Sequence, residues 1–375
     1  MGKSPTRRRA PVPIRAGAGA PSVPGMQTTS RIRVLPALLT CLSLTLSAAC
    51  SSPAPTAAPL VLRIGTDDDA ETPAADQIRH FADEVSARSH GTLKVEPVWH
   101  AAGEDIPHWD QAVATLVIEG KLDLGMVPSR AWDDLGVTSL RALNTPFLIT
   151  TDTLAAGVVI NAGLTHQLTS GLPSAGVSAL GLYPEGLRHP FGFDRPLRGA
   201  SDYRGGLIRM PWSRTGNALF EALGARTGDG EPDRTTMIGA ESSYRLSPAG
   251  IATGNVIFYP KINVLTARSH LEEKLSGDQR TQLRAAAEAT GRWVIANQLS
   301  DQEAAQTFCA EGGRIAAASP AQLESLMAGA RGVVQDLRED PATAAIIDAI
   351  TTMKKNDPEA EPVTSCATPT ARTSR

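Results

Sequence analysis

Short apolar runs alternate with helical periodicity through the first half of the chain. The run at 60–65 predicts a buried strand, and Thr72-Pro73 predicts a helix start with threonine as N-cap and proline in the first turn. Further strands are predicted at 91–96 and 122–127, with a helix at 109–119 between them. This strand–helix–strand order predicts an α/β fold with a parallel sheet covered by helices.

The second half continues the alternation and then becomes helical. Helices are predicted at about 151–171 and at 214–223, and strands are predicted at four short apolar runs: 177–183, 206–210, 255–259 and 262–265. Two capping boxes, Ser276 with Gln279 and Ser319 with Gln322, start long helical patterns. Residues 353–375 are polar and are predicted to form a loose tail.

A basic stretch followed by an apolar run precedes the first strand. Two arginines lead into the run at 34–50, which ends in small residues and is shorter than the roughly 20 residues that span a membrane. We therefore predict a signal peptide at 1–50, with a retained membrane anchor as the alternative. Because residues 1–25 fit neither a signal peptide nor a domain, we hypothesise that translation starts at Met26.

The end of the apolar run carries a candidate lipidation site. Leu46-Ser-Ala-Ala-Cys50 resembles a bacterial lipobox, in which the cysteine is lipidated and becomes the N-terminus. Ser47 departs from that pattern, which prefers an aliphatic residue three positions before the cysteine. The Ser/Pro/Ala-rich stretch at 51–59 fits a flexible tether. We expect an exported protein that is anchored to the outer face of the cell membrane through Cys50 and has no other membrane contact.

The charges are divided unevenly between this leader and the rest of the chain. Residues 1–50 hold seven of the 36 basic residues and none of the 39 acidic ones, so the remaining 325 residues carry an excess of ten acidic side chains. Such a body is a poor candidate for binding nucleic acid, which requires clustered lysine and arginine. Its length exceeds the size at which a single core stops growing, which predicts two lobes.

Two of the four cysteines remain after Cys41 leaves with the signal peptide and Cys50 is lipidated. In an exported protein, Cys309 and Cys366 are predicted to form one disulfide, with two unpaired thiols as the alternative.

Motifs for catalysis, cofactors or metals are absent from the sequence. No nucleophile elbow, zinc-protease motif or phosphate-binding loop occurs. His100 and His108 flank Glu104 and Asp105, but glycine and proline between them indicate a loop without a fixed ligand geometry. We expect no enzyme activity, no cofactor and no metal.

Two arginines lie in unusual settings. Arg209 interrupts an apolar strand, and Arg188 follows another strand closely. A buried guanidinium needs a partner, because an unpaired charge is costly to bury. The partner is either an anion from solvent, such as a carboxylate held by the planar fork, or an internal acid such as Glu185 or Glu241.

Several stretches, in order and spacing, resemble a known family. They are Phe81-Ala-Asp-Glu-Val85, Pro146-Phe-Leu148, Glu185-Gly-Leu-Arg188, Asp202-Tyr-Arg-Gly205, Ala222-Leu-Gly-Ala225 and Leu275-Ser-x-x-Gln279. Between about 60 and 340 the chain resembles the solute-binding proteins of TRAP transporters (the DctP family), in a lipoprotein form of actinobacterial type. The resemblance implies a two-lobed, type II-like periplasmic-binding-protein fold with a long C-terminal helix that spans both lobes.

The resemblance also implies domain boundaries. We expect lobe 1 to comprise 60–182 and about 264–298, and lobe 2 to comprise 183–263 and about 299–352.

Binding residues follow from the same resemblance. Arg209 matches the family's main carboxylate-binding arginine, and Arg188 matches its second arginine. Trp212 matches a position facing the pocket, and Arg130 and Trp132 fall in a segment that lines the other lobe.

One region departs from the family pattern. The family has a helix followed by an asparagine that contacts the ligand. Here 226–243 is short, so part of that helix is missing, and within the closest match, 239–243, Glu241 precedes Ser242, which stands in place of the asparagine. This departure leaves the ligand's identity open.

The implied function is capture of a small organic acid and its delivery to the permease subunits of a TRAP transporter by a monomeric protein. The alternatives are a ligand-sensing lipoprotein without a role in transport and an exported enzyme.

Overall fold

The computed structural model describes residues 58–103, 106–230, 233–246, 250–357 and 361–366. The predicted signal peptide, the start at Met26 and the lipidation site at Cys50 lie outside the described residues. Among the described residues, no helix combines the length and apolar character that crossing a membrane requires.

Within the unit that runs from Thr56 to Arg375, five strands form the first sheet in the order β2-β1-β3-β10-β4. They are β1 (Leu60–Gly65), β2 (Leu93–Val98), β3 (Leu124–Pro128), β4 (Val177–Leu187) and β10 (Pro260–Arg268). The predicted parallel pairing holds for β1 with β2 and β3, whereas β10 is antiparallel to both β3 and β4. The sheet is mixed because β10 returns to it from the second lobe, from the opposite direction.

The second sheet has the order β11-β9-β5-β8-β6-β7. Its strands are short: β5 (His189–Gly192), β6 (Leu207–Arg209), β7 (Arg226–Gly228), β8 (Gly239–Ser242), β9 (Ile251–Thr253) and β11 (Arg314–Ala316). We call the first sheet with its covering helices the first lobe, and the second sheet with its helices the second lobe.

Nine α-helices occur in the described residues. They are α1 (Pro73–Arg88), α2 (Trp109–Ile118), α3 (Asp152–Ile160), α4 (Ala162–Thr169), α5 (Arg214–Ala222), α6 (Gly277–Asn297), α7 (Asp301–Ala310), α8 (Pro320–Leu337) and α9 (Pro341–Lys354). The predicted N-caps of α1, α6 and α8 are all in place, with Thr72, Ser276 and Ser319 accepting backbone hydrogen bonds. Each cap satisfies a backbone N–H that has no partner inside the helix.

The two lobes are joined where β4 runs into β5 and where the chain returns into β10. Here the N–H of Arg188 donates to the carbonyl of Tyr259 at 2.9 Å, and the N–H of Phe258 donates to the carbonyl of Arg188 at 2.9 Å. The predicted strand at 255–259 is wrong, because this segment turns after β9 and crosses between the lobes. Asn255 holds the turn by bonding both the N–H and the carbonyl of Ala318.

The C-terminal helices reach both lobes, but not as one helix. The helix α6 packs on α1 and β4 of the first lobe, where Tyr183 Oη donates to the carbonyl of Ala287 at 2.8 Å. It ends at Asn297, and Ser300 caps the separate helix α7. Phe308 of α7 packs against aromatic rings of the second lobe. The break at 298–300 replaces the single spanning helix that the family resemblance implies.

The last helix differs from the predicted lobe boundaries. Ile346, Ile347 and Ile350 of α9 are buried in the same apolar cluster as Leu140 and Leu143 of the first lobe. The stretch 341–354 therefore packs on the first lobe, although 299–352 is predicted to belong to the second. This packing gives the apolar face of α9 a core to bury against.

The structure contains the disulfide between Cys309 and Cys366. It ties the end of α7 to the described part of the C-terminal tail.

Candidate ligand cleft

A cavity of ≈ 970 Å³ lies between the lobes. The residues that follow β1 and β3, and the last residue of β6, reach it, as expected where the carboxyl ends of parallel strands face a crevice. Its lining includes aromatic and polar residues, four basic side chains (Arg130, Arg188, Arg209, Lys261) and six carboxylates (Asp67, Asp68, Asp69, Asp110, Asp229, Glu241).

Arg188 lies at the junction of the lobes with its side chain only 5% exposed. Its Nε is 3.5 Å from Oε1 of the equally buried Glu241. The internal pair that the sequence left as one alternative is therefore present. No hydrogen bond satisfies that Nε among the described residues, so the guanidinium has donor capacity left for another acceptor.

Arg209 lies at the end of β6 and reaches across the cleft. Its guanidinium carbon lies 5.6 Å from the centre of the Trp109 ring at the start of α2. This contact joins the second lobe, which contains Arg209, to the first lobe, which contains Trp109. Its Nε also donates to the carbonyl of Gly230 at 3.3 Å. Sequence analysis finds Arg209, but it does not find Trp109, whose cleft position depends on how the lobes pack.

Arg130 lines the cleft from the first lobe, as predicted. Its Nη2 donates to Asp110 Oδ2 at 2.7 Å, and its Nε is buried without a hydrogen-bond acceptor among the described residues. Burial works against the charged form, but the carboxylates of Asp110, Glu241 and Asp68 outweigh it and raise the pKa of Arg130.

Lys261 forms a buried cluster that the sequence analysis missed. Its Nζ lies 3.1 Å from Asp68 Oδ1 and 2.9 Å from Glu185 Oε1. Asn263 donates to Glu185 Oε2 at 2.6 Å and to Gln77 Oε1 at 3.0 Å. Although burial opposes it, the ammonium of Lys261 lowers the pKa of Asp68. The sequence feature that could have revealed this cluster is the alternation of Lys261 and Asn263 with apolar residues in the buried strand β10.

Neither predicted tryptophan lines the cleft. Trp132 is 0% exposed inside the apolar core of the first lobe, so it cannot reach a ligand there. Trp212 stacks on His108 with ring centres 4.3 Å apart, and its Nε1 donates to Asp134. Trp212 therefore bridges the lobes beside the cleft. Both predictions came from position in a family pattern, which does not fix side-chain direction.

Both residues that were predicted in the shortened segment reach the cleft. Glu241 and Ser242 both lie on β8 and line the cavity. Ser242 Oγ donates to the carbonyl of Leu246 at 2.8 Å, so this hydroxyl is engaged within its own loop.

The cleft is lined by side chains of both charges. The carboxylates that line it outnumber the basic side chains in the described residues. Burial and the neighbouring carboxylates of Asp110, Asp68 and Asp69 raise the pKa of Asp67 to about 6, against the opposing influence of His100.

The two histidines of the predicted loop at 100–108 contact different residues. His100 Nε2 lies 2.7 Å from Asp69 Oδ1, whereas His108 stacks on Trp212. Glu104 and Asp105 lie outside the described residues. In the part of the chain that the structure describes, no three acidic, histidine or cysteine side chains are grouped in a way that could hold a metal.

Comparisons with known proteins agree with the fold. Residues 64–229 match the family described as bacterial extracellular solute-binding protein, family 7 (DctP). No curated protein matches the chain.

Among solved structures, the chain is similar to a TRAP periplasmic solute-binding protein from Chromohalobacter salexigens with bound D-glucuronate (TM-score 0.68, 16% identity, covering 78% of this chain and 99% of that one). It is also similar to one from Shewanella oneidensis with bound succinate (TM-score 0.68, 17% identity, covering 79% of this chain and 99% of that one). A third similar structure is the sugar acid binding protein from Advenella mimigardefordensis in complex with galactonate (TM-score 0.68, 19% identity, covering 78% of this chain and 98% of that one).

The predicted two-lobed α/β fold is confirmed by these similarities. Residues 64–229 thus match the DctP family of bacterial extracellular solute-binding proteins, and the chain has the fold of the TRAP periplasmic solute-binding proteins.

Proposed function

We propose that this protein is the extracytoplasmic solute-binding component of a TRAP-type transporter. It captures a small carboxylate-bearing organic acid between its lobes and delivers it to membrane permease subunits. The observation that carries this proposal is the buried guanidinium of Arg188, which lines the cleft with an Nε that lacks a hydrogen-bond acceptor among the described residues. A carboxylate is the acceptor that best matches a guanidinium fork.

The lobes supply the binding energy together. Arg209 comes from the second lobe, Arg130 comes from the first, and Arg188 lies at their junction. A carboxylate held by Arg209 and Arg188 therefore stabilises the closed arrangement over the open one, since only the closed form makes both sets of contacts. Each charge-assisted contact contributes about 1.5–3 kcal/mol. This is capture without bond making, so it requires no catalytic residue.

The proposed location follows from the leader. Signal cleavage and lipidation at Cys50 would anchor a monomeric protein to the outer face of the cell membrane, with 51–59 as tether. Membrane contact is through the lipid, and the partners are the ligand and the permease.

A ligand-sensing lipoprotein is the second candidate, favoured by the segment between β7 and β8, which has no helix among its described residues. Uptake of radiolabelled ligand into cells that express the permease, with and without this protein, separates the two. Dependence of uptake on the protein supports transport. Unchanged uptake, with binding retained, contradicts it.

A further inference from the structure

The carboxylates of the cleft are not equally provided with partners. Five of the six have a hydrogen-bond donor or an ion-pair partner in the described residues: Asp68 has Lys261, Asp69 has His100, Asp110 has Arg130, Asp229 has the N–H of His108, and Glu241 has Arg188 as an ion-pair partner. Asp67 has neither a hydrogen-bond donor nor an ion-pair partner within the described part of the chain. It follows β1 directly and lines the cavity between the lobes.

The surroundings of Asp67 disfavour its negative charge. Burial is the largest effect, and Asp110, Asp68 and Asp69 add like-charge repulsion, so the pKa of Asp67 rises to about 6. A cation placed beside the carboxylate would reverse this penalty, whereas a second anionic group would increase it. The cleft is thus poorly matched to a dianion at this end.

Two arginines in the same cavity, by contrast, call for a negatively charged group on the ligand. The Nε of Arg188, on a side chain 95% buried, has no hydrogen-bond acceptor among the described residues, and neither does the Nε of Arg130. Buried donors of this kind are costly unless an acceptor occupies the site. The cleft therefore has donors without acceptors at the arginines and an acceptor without a donor at Asp67.

We infer that the ligand is zwitterionic: its carboxylate binds Arg188 and Arg209, and a cationic nitrogen on the same molecule binds Asp67. This inference rests on the proposed function and adds a substrate class to it. It sets this cleft apart from those of the three similar structures, whose stated ligands are glucuronate, succinate and galactonate.

Matched sets of linear acids test the inference. Each set contains an ω-amino acid, the ω-hydroxy acid and the dicarboxylic acid of the same carbon number, from three to six carbons, titrated calorimetrically into the purified protein. At the length that binds best, we expect the amino acid to bind at least about tenfold more tightly than either counterpart. Asp67→Asn should abolish that preference, and Asp336→Asn, at an exposed aspartate outside the cleft, should retain it.

The failures of the two proposals are distinguishable. Binding of hydroxy or dicarboxylic acids as tightly as the amino acid, or a preference that survives Asp67→Asn, overturns the zwitterion inference and leaves capture of acids intact. Absence of binding by every acid in the sets counts against both.

Discussion

The guanidinium of Arg188 and the carboxylate of Glu241 lie 3.5 Å apart, and both side chains are buried. Arg188 belongs to the junction between lobes and Glu241 to β8 of the second sheet. The pair is incomplete, because Arg188 Nε has no hydrogen-bond acceptor among the described residues. Breaking such a pair is expensive, since the remaining charge is then buried alone.

A single and a double substitution separate the structural role of this pair from its role in binding. Arg188→Met should lower the free energy of unfolding by about 3–5 kcal/mol, because Glu241 loses its partner. Arg188→Met combined with Glu241→Leu should recover most of that loss, and both variants should bind the acid at least about tenfold more weakly than the parent. Urea unfolding and calorimetry provide the two readouts. Full stability in the single variant, or unchanged ligand affinity in the stable double variant, contradicts the assignment.

Asp67 should make the unliganded protein less stable as the pH rises. The pKa of Asp67 in the folded protein is about 6, above its ordinary value of 3.8, so the folded state holds this proton between those pH values and the unfolded state does not. Stability therefore falls from about pH 4 to about pH 6, and the penalty is complete above pH 6. Asp67→Asn should raise Tm at pH 7.5 and have little effect near pH 4.

Thermal unfolding across this pH range measures the effect. Asp336→Asn is the matched control, because Asp336 is exposed and does not line the cleft. The groups that face Asp67 are Asp110, His100, Asp68 and Asp69. A Tm difference for Asp67→Asn that is constant with pH would count against a proton held at this site.

The sequence predicts local features of the fold better than it predicts the cleft. Thr72-Pro73 and the two capping boxes specify helix starts within a few residues, because the cap and its partner are neighbours in the chain. The break between α6 and α7 was missed, since the preceding helical pattern continues up to Asn297 and contains no proline.

Two cleft residues could be singled out from the residues alone, because Arg209 interrupts an apolar strand and Arg188 closely follows another. Both line the cavity. Trp132 and Trp212 were assigned by position alone, and packing directs one into the core and the other onto His108. Asp67 lies in an acidic loop that suggests solvent exposure, and its half-buried position in the cleft depends on packing that the sequence pattern does not show.

The buried Lys261 cluster should be needed for folding. Lys261→Met leaves Glu185 and Asp68 close together without their shared cation, so the free energy of unfolding should fall by about 3–5 kcal/mol. Lys274→Met, at an exposed lysine, should stay within about 0.5 kcal/mol of the parent. Chemical denaturation at pH 7 compares the two variants. Equal stability of the two would mean that the Lys261 cluster contributes nothing.

The disulfide should stabilise the second lobe by restricting the unfolded chain. Cys309 and Cys366 are separated by 57 residues, and closing a loop of that size contributes about 4 kcal/mol in the chain-entropy description. The double variant Cys309→Ala/Cys366→Ala should lose about that much stability and should bind ligand as before, since neither cysteine lines the cleft. Denaturation curves without and with reductant check this. If reductant left the denaturation curve of the parent protein unchanged, the prediction would be contradicted.

The most direct measurement is calorimetric titration of organic acids into the parent protein, into Arg209→Ala and into Arg204→Ala, which removes an exposed arginine outside the cleft. We expect at least one carboxylate-bearing acid to bind the parent with one-to-one stoichiometry. Arg209→Ala should bind it at least about tenfold more weakly, because a charge-assisted contact is lost, and Arg204→Ala should match the parent. Binding of non-acids only, or unchanged affinity in Arg209→Ala, would contradict capture of a carboxylate by this cleft.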